Sequence, residues 1–182
     1  MKRLVTIVLF IVIILAALLI GGYQYLMHST KKHSPLQQTT HVTSGTEITI
    51  KYSSPSVRDR VIFGEVVPFG EVWRTGANEP TTVTFTAPVG MAGATLEAGT
   101  YSLWTVPGPD RWTVILNARD YDWGMGWSGE SPRKPEYDVV NAEVPVIALD
   151  SLQEQLLITV SEDPPALDIL WEYTKVSLPM QP

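Results

Sequence analysis

The chain has 182 residues, room for one domain with accessories, and 45% of them are hydrophobic against 18% charged. It holds no cysteine, which excludes disulfides, thiolate metal sites, a cysteine nucleophile and a lipidated cysteine. Four of the thirteen basic residues precede Thr46 and all nineteen acidic ones lie beyond it. The remainder therefore carries an excess of ten negative charges, repels phosphate backbones, and is not expected to bind nucleic acid.

The chain opens on an apolar run. Leu4 to Ile20 is broken only by Thr6, and continuing to Met27 gives 24 residues, about 36 Å of helix against ~30 Å of hydrocarbon. Lys2 and Arg3 ahead of it favour a cytoplasmic N-terminus, and Tyr23 and Tyr25 fall where an outer aromatic belt lies. The rival reading is a cleaved signal peptide. Its apolar core runs to about 7–15 residues before a small-x-small site, and Gly21-Gly22-Tyr23 fits that poorly. Residues 1–27 are thus read as a transmembrane anchor, with the membrane as partner through residues 4–27. The chain beyond the anchor is expected in the periplasm or at the cell surface. Residues 28–45 are rich in Ser, Thr, Gln, Lys and His without apolar periodicity, and read as a flexible polar linker.

Residues 46–182 form the expected domain. The three histidines, His28, His33 and His41, all lie before it, which removes a Ser-His-Asp arrangement, an imidazole zinc site and a histidine base from its chemistry. Short β-branched and aromatic runs separated by Pro and Gly predict strands. Ile48, Ile50 and Tyr52 alternate with polar residues, as do Val83 and Phe85. Thr100–Val106 and Arg111–Asn117 flank Pro107-Gly108-Pro109-Asp110, a hairpin pattern. Ala148 to Leu157 carries a helix-capping pattern at Asp150 or Ser151 with Glu154, and is read as a short helix or a strand. Leu156, Ile158 and Val160 share one strand face. After the turn at Glu162-Asp163-Pro164-Pro165, Leu167, Ile169, Trp171 and Tyr173 are expected along one face of the last strand. Seven or eight such strands point to an all-β, antiparallel two-sheet sandwich of jelly-roll or Ig-like type behind one N-terminal transmembrane helix.

Two blocks are distinctive. The first is Ile62-Phe63-Gly64-Glu65-Val66-Val67-Pro68-Phe69-Gly70-Glu71-Val72-Trp73-Arg74-Thr75-Gly76-Ala77-Asn78-Glu79-Pro80-Thr81; the second is Leu96-Glu97-Ala98-Gly99-Thr100-Tyr101-Ser102-Leu103-Trp104, with Trp112 to Asn117 after it. Together they closely resemble the bacterial family catalogued as domain of unknown function 2911, over roughly Glu47 to Val160. The resemblance implies an envelope-associated β-rich domain and no particular activity.

Trp73-Arg74-Thr75-Gly76-Ala77-Asn78-Glu79 is a polar loop in which Gly76 permits a tight bend and Arg74 presents a planar fork to a carboxylate. Either Trp73, Arg74, Asn78 and Glu79 line a ligand site, or Arg74 and Glu79 form an internal clamp. Trp123 and Trp127, in a Gly-rich loop, could add stacking platforms, whereas Trp112 and Trp171 read as core. The same loop imitates two motifs. Gly124-x-Gly126-x-x-Gly129 lacks the strand and helix of a dinucleotide site, and Asp120-x-Asp122-x-Gly124 lacks the later ligands of a calcium loop, so neither a metal nor another cofactor is expected. Carboxylate pairs such as Glu65/Glu71 leave a two-carboxylate hydrolase open, with no catalytic residue assigned. The leading reading is a non-catalytic binding module for a glycan, small molecule or envelope protein, ahead of a structural or protein-interaction domain.

Overall fold

The computed structural model of the chain describes residues 2–43, 45–126 and 128–181. It divides into a helical unit ending at His33 and a β unit beginning at Ser34. The helix α1 (Lys2–His33) is long and apolar enough to cross a membrane, and the described apolar side chains along it, Val5 to Leu26, are exposed rather than packed in a core.

The β unit has nine strands among the described residues: β1 (Leu36–Thr43), β2 (Thr46–Ser53), β3 (Thr81–Phe85), β4 (Val89–Met91), β5 (Ala94–Leu96), β6 (Gly99–Val106), β7 (Arg111–Asn117), β8 (Asp138–Glu162) and β9 (Pro165–Gln181). Every pairing is antiparallel, and the order is β1-β2-β3-β6-β7-β8-β9-β4-β5. The all-β class with an N-terminal helix is thus as the sequence reads. The pairing runs unbroken because the 25-residue β8 serves both halves. Its first part pairs with β7, Pro145 lying opposite Arg111, and its later part with β9.

Two expectations are corrected and one left open is decided. Residues 28–45 are not a linker: α1 continues to His33, and Leu36–Thr43 pairs with β2 over its whole length. Its ladder bonds need no apolar side chains, which is why periodicity missed it. His41 therefore belongs to the domain, half-buried with Nε2 3.4 Å from Thr159 Oγ1. Ala148 to Leu157 is strand, with register shifts between Ala148, Gln153 and Leu157. Finally, Tyr173 is 55% exposed while Trp171 and Val176 are buried. Glu172, at φ 57, is left-handed and puts the strand out of phase with its own alternation.

Two apolar layers result. The main core takes the alternate residues Ile48, Ile50, Val83, Leu103, Val114, Ile158, Leu167 and Ile169, each worth about 1.5–3 kcal/mol when fully buried. Phe63, Trp73, Trp112 and Trp171 meet within it: the Trp73 and Trp171 rings stack at 5.8 Å, and Phe63 lies edge-on to Trp112 at 4.7 Å. On the other face of β6, Trp104 is fully buried beneath Tyr121, edge-on at 5.4 Å.

Candidate functional site

The loop from Ser54 to Pro80 returns to the sheet through a bridge between Trp73 and Thr105, whose amides and carbonyls exchange bonds of 2.7 and 2.9 Å. Trp73 points into the core, so alternation puts Arg74 on the opposite face, the face of Trp104. The chain then makes a self-bonded turn. Trp73 Nε1 donates to Gly76 O (3.0 Å), Thr75 Oγ1 to Thr105 Oγ1 (3.2 Å) and Thr81 Oγ1 to Thr75 O (2.6 Å). Gly76 is required by close approach, since a Cβ there would meet Ser53 O at 3.0 Å and Thr81 Oγ1 at 3.2 Å. Thr75 and Asn78, at φ 51 and 60, take left-handed conformations that turn the chain back toward β3.

The Gly-rich loop after β7 settles on this turn. Gly124 N donates to Asn78 O (3.1 Å), and a Cβ on Gly124 would fall 2.0 Å from Arg74 Cδ and 2.9 Å from Arg74 Cβ. Arg74 is therefore roofed by backbone that only glycine can supply.

The base of the loop is fixed by a network around the fully buried Asn117. Its Nδ2 donates to Asp138 Oδ1 (2.8 Å) and Lys134 O (2.9 Å); its Oδ1 accepts from Arg119 N (3.0 Å) and Tyr121 OH (3.1 Å). Arg133 is ion-paired with the other oxygen of Asp138. Ser102 Oγ accepts from Trp104 Nε1 (2.9 Å) and donates to Arg119 O (2.9 Å). The sequence reading missed these residues. Their signal was Trp104 itself, a large aromatic out of phase with Tyr101, Leu103 and Thr105, which demands a second cover.

Of the residues expected at a site, the structure brings Arg74 and Asn78 together with the segment carrying Trp123, which is half-buried. Trp73 is not a ligand platform, because it is buried, stacked on Trp171 and packed at steep angles to Phe63 and Trp112. Asn78 is buried and holds Ser53 Oγ at 3.4 Å. Glu79 is half-buried, and Trp127 lies outside the described residues. The alternative clamp is not formed either: among the described residues Arg74 has no ion pair, and its Nε is enclosed without a hydrogen-bond partner. Burial without a compensating charge lowers the Arg74 pKa.

The other pattern in the loop is occupied by its own turn. Asp120 Oδ1 accepts from Tyr121 N (2.9 Å), and Glu130 accepts from Gly126 N (2.7 Å) through its carbonyl and from Ser128 N (3.1 Å) through its carboxylate. Among the described residues no group of three His, Asp or Glu side chains could hold a metal ion.

Fold and site define an all-β antiparallel domain, carried behind an apolar helix, with a roofed arginine on one sheet face. The family model described as Protein of unknown function (DUF2911) matches residues 34–180, and the chain belongs to that family. The matched region includes the whole of β1. No curated protein and no solved structure matches the chain.

Proposed function

We propose that the chain is a membrane-tethered, non-catalytic binding module whose site takes an acidic group, a carboxylate or similar oxyanion on a small molecule, glycan or envelope protein, at Arg74. The observation that carries this reading is the Arg74 guanidinium. Arg74 is a half-buried permanent cation whose Nε is enclosed beneath the Gly124 backbone without a hydrogen-bond partner, and it has no ion pair among the described residues. Desolvating a cation without a counter-charge is costly. A bidentate carboxylate would offset that cost, and Trp123 would lie on the rim of the site. The tether is α1, read as an uncleaved anchor that leaves the β unit outside the cytoplasm.

The test is Arg74→Met in the full chain, purified in detergent micelles, with thermal unfolding and then tryptophan fluorescence on titration with citrate, glucuronate and inorganic phosphate. The binding reading expects Arg74→Met to raise the midpoint by a few degrees, about 0.5–2 kcal/mol, as replacements at functional positions do, and to abolish a response that the parent gives to one of the probes. A fall in the midpoint with no response from the parent supports the second reading, a structural domain without a ligand. That reading is favoured by the internal use of Trp73 and Asn78.

A further inference from the structure

Exposed apolar side chains occur at both ends of the sheet of the β unit, Val42, Tyr137 and Val139 at one end and a larger group at the other. Val61, Val66 and Phe69 are 44–51% exposed on the loop between β2 and β3, and Ile147, Leu152 and Tyr173 are 45–55% exposed around the corner of β8 and β9. Both segments lie at the end of the sheet where β2 stops at Ser53. Val57 N donates to Glu154 O (2.8 Å), Ile62 N to Glu172 Oε1 (3.2 Å), Gly70 N to Pro107 O (2.8 Å) and Val146 N to Asp110 O (2.9 Å), which binds loop, hairpin turn and corner into one surface. The chain enters the β unit at the same end: Leu36 lies opposite Ser53, and Ser54 N donates to Pro35 O at 2.9 Å.

We propose that this end of the β unit is a membrane-contacting surface whose partner is the headgroup and upper acyl layer of the bilayer that α1 crosses; the inference rests on the anchor reading above, not on the Arg74 site. Chain length supports it. Only Ser34 and Pro35 separate α1 from β1, at most about 7 Å of extended chain. With the apolar run ending at Met27, residues 28–33 add about 9 Å of helix, against an interfacial layer of about 5–8 Å on each side of the hydrocarbon. The first residues of β1 are thus held within about 16 Å of the hydrocarbon, at most about 8–11 Å outside the interfacial layer. The side-chain chemistry agrees: Tyr173 is of the aromatic type that settles at membrane interfaces, and Phe69, Val61, Val66 and Leu152 are apolar. The acidic excess of the domain opposes anionic lipid, so a zwitterionic bilayer suffices and anionic lipid weakens the contact.

The absence of cysteine makes the test clean. The full chain, as Val66→Cys, Leu152→Cys or Tyr173→Cys, is labelled with a polarity-sensitive fluorophore and reconstituted in phosphatidylcholine nanodiscs with and without a headgroup nitroxide lipid. Val139→Cys, at the opposite end of the sheet, is the aqueous control. Leu15→Cys, read with a mid-chain nitroxide, reports whether α1 is inserted. The proposal expects blue-shifted emission and a loss of intensity with the nitroxide at positions 66, 152 and 173, none at 139, and a smaller loss when phosphatidylglycerol is added at low salt. Quenching at Leu15 with none at 66, 152 and 173 overturns the proposal and leaves the anchor standing. No quenching at Leu15 removes both. The three surface positions are independent, so one misfolded variant, detected by its circular dichroism, does not disable the test.

Discussion

A single residue step separates two opposite fates at the centre of this domain. Trp73 joins the aromatic core, and Arg74, pointing the other way, is half-buried with its Nε enclosed and no ion pair among the described residues. Gly124 makes the second fate possible. Gly124→Ala is expected to lift the loop off Arg74, because the new methyl meets Arg74 and the Asn78 carbonyl (2.9 Å) together. Trp123 emission should then move to longer wavelength while the main core, and so the unfolding midpoint, changes little. Tyr52 gives a pH prediction. Burial raises its pKa above the usual 10.0, more than the bond to the Ile158 backbone lowers it. Above about pH 10 the unfolded chain loses this proton while the folded one keeps it, so the unfolded state binds fewer protons and stability falls as pH rises. Tyr101 is raised in the same direction by burial and by Glu97. Urea unfolding between about pH 9 and 11 should therefore show a steeper alkaline decline in the parent than in Tyr52→Phe.

At the scale of elements, the corner in β8 and β9 is the main departure from regular pairing. Asp168 lies 4% exposed and is tied by Lys175 Nζ at 2.8 Å across the left-handed Glu172, while its second oxygen is buried without a partner. Lys175→Met strands a buried carboxylate, and with Lys175 partly solvated the cost is about 2–3 kcal/mol, a drop of about 5–10 °C in midpoint. Asp168→Asn combined with Lys175→Met should recover most of it, which thermal unfolding of the single and double variants checks. The strands with apolar alternation, such as Ile48-x-Ile50-x-Tyr52 and the hairpin around Pro107-Gly108, were legible because burial on one face is written in their period. β1 was not, because its ladder is backbone chemistry that Gln, Thr and His allow as readily as Val. Tyr173 was misplaced because no residue type announces the left-handed turn at Glu172. The loop network was legible only in part: the turn glycines stand out, but the partners of Asn117 come from residues up to 21 positions away.

For the whole molecule, the division at His33 and Ser34 is the organising fact. With α1 as an uncleaved anchor, the intact mass of the purified chain should include residues 2–33, and the protein should stay with membranes through alkaline carbonate washing. Removing residues 2–33 should release it to the soluble fraction; a mature mass lacking α1 would instead identify a signal peptide. The sequence by itself determined the apolar helix, the antiparallel β class, the acidic excess and the family blocks, because hydrophobic period, turn chemistry and charge are local properties of the chain. Tertiary structure alone decided that Trp73 is core, that Arg74 is roofed with an unpartnered Nε, that His41 belongs to the domain, and that the larger group of exposed apolar residues lies where the chain enters. Each of these depends on which strand lies opposite which, and that register is set by the collective packing of residues far apart in sequence.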